Sequence, residues 1–215
     1  MENKADPIYG DILDTLKSNG EIVFVTYSML DDIESKLRFV ILSILQDFSK
    51  ADLIDPIFSS IKELTTNALK ANIKKILIDE KTITNPEDSS EVILKLKSVL
   101  TEKGLLEYAV KCKNYELSVR IHIILSNNNL VVKIINPIPL TPPQFERIQD
   151  KIRTAKNYDC LASFYMENPD PMAEGMGLGI SMVIVLLKGI GYDVENFRVE
   201  SDMTTKTSAI LDLPL

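Results

Sequence analysis

The spacing of apolar residues changes several times along the chain, and each change predicts an element. Ile22-Val23-Phe24-Val25-Thr26-Tyr27 is a run of β-branched and aromatic residues and predicts a strand. Ser28 and the acids at 31, 32 and 34 then look like a helix start. Ile33, Leu37, Val40, Ile41, Ile44, Leu45 and Phe48 follow at helical spacing. A second helix is expected from about Pro56 to Asn72, with Ile57, Ile61, Leu64, Ala68 and Ala71 on its apolar side. Residues 73–78 fit either its continuation or a new strand. Residues 91–111 read as helix interrupted near Gly104. Leu117, Val119, Ile121, Ile123 and Leu125 alternate, which predicts a strand. Asn127-Asn128-Asn129 is a hairpin turn signal, with a partner strand over 130–135.

Pro137, Pro139, Pro142 and Pro143 break regular structure, and 144–162 reads as one charged helix. Residues 168–177 read as a loop. Residues 180–188 are apolar nearly all round, which predicts a buried helix ended by Gly189 and Gly191. Two antiparallel strands are expected at 194–199 and 208–213. A short helix is expected near 8–17, in an acidic N-terminal stretch. Helices interleaved with antiparallel strands predict an α+β fold, a two-layer sandwich with one sheet covered by helices.

Composition narrows the classes of function. The chain has 215 residues, enough for one domain with an extension. Hydrophobic residues make up 45% and charged residues 26%, the values of a globular protein with a core. The formal net charge of -7 argues against a broad nucleic-acid surface, which needs a basic face. Cys112, Cys160 and the single His122 cannot assemble a zinc site. The N-terminus carries no signal-like core, and the longest apolar runs, 39–45 and 180–187, are too short to span a bilayer. These features predict a reduced, cytoplasmic protein with no membrane span.

Two segments carry candidate chemistry. In Glu63-Leu64-Thr65-Thr66-Asn67-Ala68-Leu69-Lys70, Glu63, Asn67 and Lys70 share one helix face. A carboxamide oxygen can ligate Mg²⁺, an ammonium can neutralise phosphate, and a carboxylate can polarise water. The same spacing also fits a solvated stripe with a Glu–Lys interaction. In Glu174-Gly175-Met176-Gly177-Leu178-Gly179-Ile180, alternating glycines open the buried helix, where backbone N–H groups and the helix dipole favour an anion. It is neither a dinucleotide fingerprint nor a Walker loop.

Together these segments resemble the ATP-binding domain of the GHKL superfamily, which includes histidine kinases, anti-sigma serine kinases and the gyrase, Hsp90 and MutL ATPases. Glu63 to Lys70 looks like the N-box. Gly175-Met176-Gly177-Leu178-Gly179-Ile180 looks like the second glycine box. Residues 207–215 are similar to the closing kinase strand. The resemblance runs from about Asp55 to the C-terminus, leaving 1–54 as a strand-helix extension for dimerisation or docking. It implies a Bergerat fold that binds ATP and Mg²⁺. Asn67 would ligate Mg²⁺, Lys70 would approach phosphate, and Glu63 stands at the general-base position of the ATPase branch. Gly175, Gly177, Leu178 and Gly179 would meet the phosphates, and Thr207 or Ser208 would sit near the adenine. Pro142 to Ala173 would form the lid, where Arg147, Lys151, Arg153 and Lys156 read as an ordinary charged helix face.

The chain departs from this pattern at three points. Where the family has DxGxG after a strand, this chain has Asn136-Pro137-Ile138-Pro139-Leu140, so Asn136 replaces the adenine-binding Asp. Residues 79–115 look like a helical insertion. His122, the only histidine, lies mid-strand, so autophosphorylation of the usual kind is not expected. The resemblance therefore implies an ATP-dependent kinase acting on a partner protein in bacterial signalling. An ATP hydrolase and a non-catalytic nucleotide- or protein-binding module are the alternatives, and a homodimer is compatible with each.

Overall fold

The computed structural model describes residues 7–29, 31–85, 89–168 and 179–215. Its centre is a five-stranded, wholly antiparallel sheet in the order β1-β2-β3-β5-β4. The strands are β1 (Glu21–Thr26), β2 (Val119–Ser126), β3 (Asn129–Asn136), β4 (Phe197–Ser201) and β5 (Thr207–Pro214). The helices are α1 (Pro7–Asn19), α2 (Asp31–Asp47), α3 (Ile54–Asp79), α4 (Ser89–Val99), α5 (Glu102–Asn114), α6 (Pro142–Ala155), α7 (Leu161–Glu167) and α8 (Gly179–Gly189). The fold class is α+β.

Side-chain alternation decides which sheet face is covered. Val119, Ile121 and Ile123 of β2 and Leu130, Val132 and Ile134 of β3 are buried in one core with residues of α2, α3 and α8. The opposite face carries Val23, Val25, Arg120, His122 and Lys133, and both valines are exposed. The β2–β3 turn places Asn127 and Asn128 at φ 51° and 59°. Asparagine tolerates this left-handed conformation, and two such residues in sequence match the twist of a hairpin.

The N-terminal segment belongs to the same sheet and core. β1 pairs with β2 over six positions, and Leu37, Val40, Ile41, Ile44 and Leu45 of α2 are buried against the rest.

One open choice is resolved and three expectations are corrected. Residues 73–78 continue α3, because Ile73, Ile76 and Leu77 lie on one helix stripe and are buried against α4 and α5. Asn72, fully buried, donates from Nδ2 to the Leu117 carbonyl at 2.9 Å and ties α3 to the chain entering β2. Residues 91–111 form two helices, but the break lies at Leu100-Thr101. Thr101 caps α5, accepting the Gly104 N–H at 3.2 Å. Gly104 sits inside α5, where an added Cβ would lie 2.2 Å from the Val99 carbonyl oxygen. It serves close packing and does not end a helix.

The charged helix of 144–162 is also two helices. Pro142 and Pro143 start α6 instead of breaking structure, since the first helical turn needs no N–H donors. The Gln144 side chain accepts the Thr141 N–H at 2.9 Å. Beyond the end of α6, Lys188 of α8 donates to the Lys156 and Tyr158 carbonyls at 2.8 and 2.9 Å, which satisfies groups a continuing helix would have used. Residues 194–196 form a short 3-10 turn, and the strand begins only at Phe197.

Candidate functional site

Between α3 and the covered face of the sheet lies a cavity of about 350 Å³. Strand alternation builds its floor. Ile134 and Asn136 of β3 lie two residues apart and face the helix layer together. β5 pairs Thr207 with Asn136 and Ala209 with Ile134, so these four positions are adjacent. Val199 of β4 continues the floor. The roof is one stripe of α3, comprising Leu64, Asn67, Ala68, Ala71, Lys74, Lys75 and Ile78. The alanines leave the space a longer side chain would fill. Ile138 to Thr141, with Gln144 and Ile148 of α6, form the side wall, and Ile180 of α8 lies at the cavity too.

Asn136 is the polar centre of an apolar floor. It is only 5% exposed, and among the described residues none donates to or accepts from its carboxamide. The amide lines the cavity, where water or a ligand can supply its bonds. The hydroxyl of its neighbour Thr207 donates to the Ile138 carbonyl at 2.8 Å. Of the two residues expected beside the base, Thr207 is the one that faces the cavity. Ser208 pairs with Ile135 on the other side of the strand and is buried there.

Asn67 stands on the roof. Its Nδ2 donates to Glu63 Oε1 at 3.0 Å, the i,i+4 contact of one helix face. With the amide nitrogen so engaged, the carboxamide oxygen is the atom left to accept or ligate. Gly179 opens α8 directly against this pair. A Cβ at Gly179 would lie 2.1 Å from Glu63 Oε1 and 3.2 Å from Asn67 Nδ2. Glycine is therefore what lets the N-terminus of α8 reach the Glu63–Asn67 pair.

The structure thus brings Asn67, Asn136 and Thr207 to one cavity and sets Glu63 and Gly179 beside Asn67. Lys70 is half-buried one turn beyond Asn67 and does not line the cavity. Gly175, Gly177 and Leu178 lie outside the described residues. Of the span expected to form a lid, the described part packs onto the core, where Ile152, Ala155 and Phe164 are buried. Among the described residues there is no cluster of three or more His, Cys, Asp or Glu able to hold a metal, so a divalent ion here would need ligands from the bound molecule.

Sequence reasoning missed Lys74 and Lys75. They follow Asn67 at i+7 and i+8, but with residues 73–78 undecided their helix face was not defined. Lys75 pairs with Asp79 at 2.5 Å. The apolar wall of Ile138 and Leu140 was also missed, since proline-rich sequence carries no periodicity to read.

His122 sits away from all of this. Its Nδ1 lies 2.6 Å from Glu21 Oε1, on the sheet face opposite the cavity.

No helix among the described residues is long and apolar enough to cross a membrane. No family model and no solved structure matches this chain. The chain is similar to an uncharacterized protein of Treponema pallidum (strain Nichols), 31% identical over 188 residues, which is 85% of this chain. It spans 36% of that protein's length.

Proposed function

We propose that the cavity binds the purine of ATP and that the chain is a GHKL-type, Bergerat-fold protein kinase acting on a partner protein in bacterial signalling. The observation that carries this reading is Asn136, a largely buried carboxamide that lines the cavity beside Thr207, in a mainly apolar floor with Asn67 on the roof. A flat heterocycle with edge hydrogen-bonding groups suits such a site. Its faces would rest on Ile134, Ala209 and Ala68, and its edge would meet Asn136. The volume falls in the range of small-molecule sites, roughly 300–1,000 Å³.

The residues present also suit Mg²⁺ bound through phosphate. The Asn67 oxygen is the ligand, held in orientation by the bond from its nitrogen to Glu63. When bound, Mg²⁺ would neutralise phosphate charge. Lys70, one turn further along α3, supplies a cation near that end. The N-terminus of α8 at Gly179 adds its dipole and free N–H groups.

His122 lies on the far side of the sheet and cannot reach the cavity in the same chain. On this reading the acceptor is a residue other than His122, and a partner protein would supply it.

Thermal unfolding with a non-hydrolysable ATP analogue and Mg²⁺ tests the reading. Ligand at about 100 times its dissociation constant stabilises the fold by roughly 2.7 kcal/mol. Asn67→Ala should abolish the Mg²⁺-dependent part of that shift while remaining folded. Absence of any shift in the unaltered chain would refute nucleotide binding.

A further inference from the structure

We infer that the cavity accepts 6-oxopurine nucleotides, the class that includes guanine and hypoxanthine, about as well as adenine nucleotides, and that Asn136 is the residue that permits both. This rests on the nucleotide reading of the site.

The inference starts from the freedom of one amide. Nothing among the described residues hydrogen-bonds the Asn136 carboxamide. Thr207, its cross-strand neighbour, is engaged with the Ile138 carbonyl. Ile134, Val199 and Ala209 around it have no side-chain polar atom. No contact from the described residues therefore decides which side of the amide is oxygen and which is nitrogen.

The two purine classes present opposite patterns at the same edge. Adenine shows an N6–H donor beside the N1 acceptor. A 6-oxopurine shows an O6 acceptor beside the N1–H donor. An amide carries one acceptor and one donor group side by side, so it meets either pattern after a half-turn about its last torsion. That half-turn breaks no hydrogen bond here. A carboxylate has acceptors only. It would accept from the adenine N6–H but oppose N1, and would accept from the 6-oxopurine N1–H but oppose O6, so it matches neither edge fully.

Inosine triphosphate is the deciding probe, because it differs from ATP only at this edge. Binding of ATP and ITP to the full chain is measured with Mg²⁺ by calorimetry or thermal shift. Affinities within about tenfold of each other are expected. Asn136→Asp, studied at about pH 8 so that the carboxylate is ionised, should weaken both nucleotides by about tenfold, because an acceptor-only group opposes one position of either edge. A preference of more than about tenfold for ATP in the unaltered chain overturns the inference and leaves the nucleotide site standing. Unchanged affinity for both nucleotides in a folded Asn136→Asp chain overturns the role of Asn136. Binding of neither nucleotide overturns the nucleotide reading, and this inference with it.

Discussion

Gly179 lies so close to Glu63 that a single methyl group at position 179 would stand 2.1 Å from the Glu63 carboxylate. The first helical position of α8 and the first polar residue of the α3 stripe are therefore built as one unit. Asn67 joins them through its bond to the same carboxylate oxygen.

Gly179→Ala should displace the Glu63 side chain, which is flexible enough to move at a cost of about 1 kcal/mol in stability. The larger loss should be in nucleotide-dependent stabilisation, because Asn67 loses the partner that orients it. The double variant Gly179→Ala with Glu63→Ala removes the collision. Its melting temperature should recover towards that of Glu63→Ala alone. Strict additivity of the two changes would show that the contact carries no coupling.

Glu63→Gln keeps an oxygen that can accept from Asn67 and removes the charge. Nucleotide binding should persist within about 0.5 kcal/mol, whereas phosphoryl transfer to a partner should fall by about 100-fold or more if Glu63 assists the acceptor. The isolated chain is expected to hold nucleotide without steady phosphate release. Steady release that disappears in Glu63→Gln would favour the ATP hydrolase reading instead.

Ala71→Phe tests the cavity itself. Ala71 is half-buried on the α3 roof, so a ring there can enter the open space without breaking packed core. Melting temperature without ligand should change little, by about 1 kcal/mol or less in stability terms. The nucleotide-induced shift should vanish. A shift of unchanged size would mean that the ligand binds elsewhere.

The two thiols should react very differently. Burial pushes the Cys112 thiol up to about 11. At Cys160, backbone hydrogen bonds from Ser163 and Ala162 at the start of α7 hold the exposed thiol below its usual value. Only the thiolate is nucleophilic, so at neutral pH iodoacetamide should label Cys160 alone, with a rate that rises with pH through a lowered midpoint. Labelling of Cys112 should need denaturant. Equal labelling in the folded protein would contradict the burial of Cys112 of α5 in the cluster that holds Ile73, Ile76 and Leu77 of α3.

Much of the layer architecture was legible from spacing. β2 announces itself by alternation and α2 and α3 by helical stripes, because burial on one face forces those periods, whereas β3 follows from the hairpin turn and α8 from an apolar run. Breaks were harder to read. The end of α6 depends on Lys188, 32 residues beyond Lys156. The length of α3 depends on α4 and α5, which bury Ile73, Ile76 and Leu77.

The candidate site divides along the same line. The sequence by itself determined that Glu63, Asn67 and Lys70 lie on one helix face, because an α-helix repeats every 3.6 residues wherever it stands. It also determined that Asn136 ends a strand and that Gly179 opens a helix. Only the tertiary structure decided which of these meet. Strand pairing set Thr207 against Asn136 and turned Ser208 away, since register assigns each side chain a face. Packing of α8 on α3 brought Gly179 to Glu63 across more than a hundred residues of chain. The cavity exists because small side chains on α3 face an apolar floor, a complementarity between distant segments that no local pattern encodes.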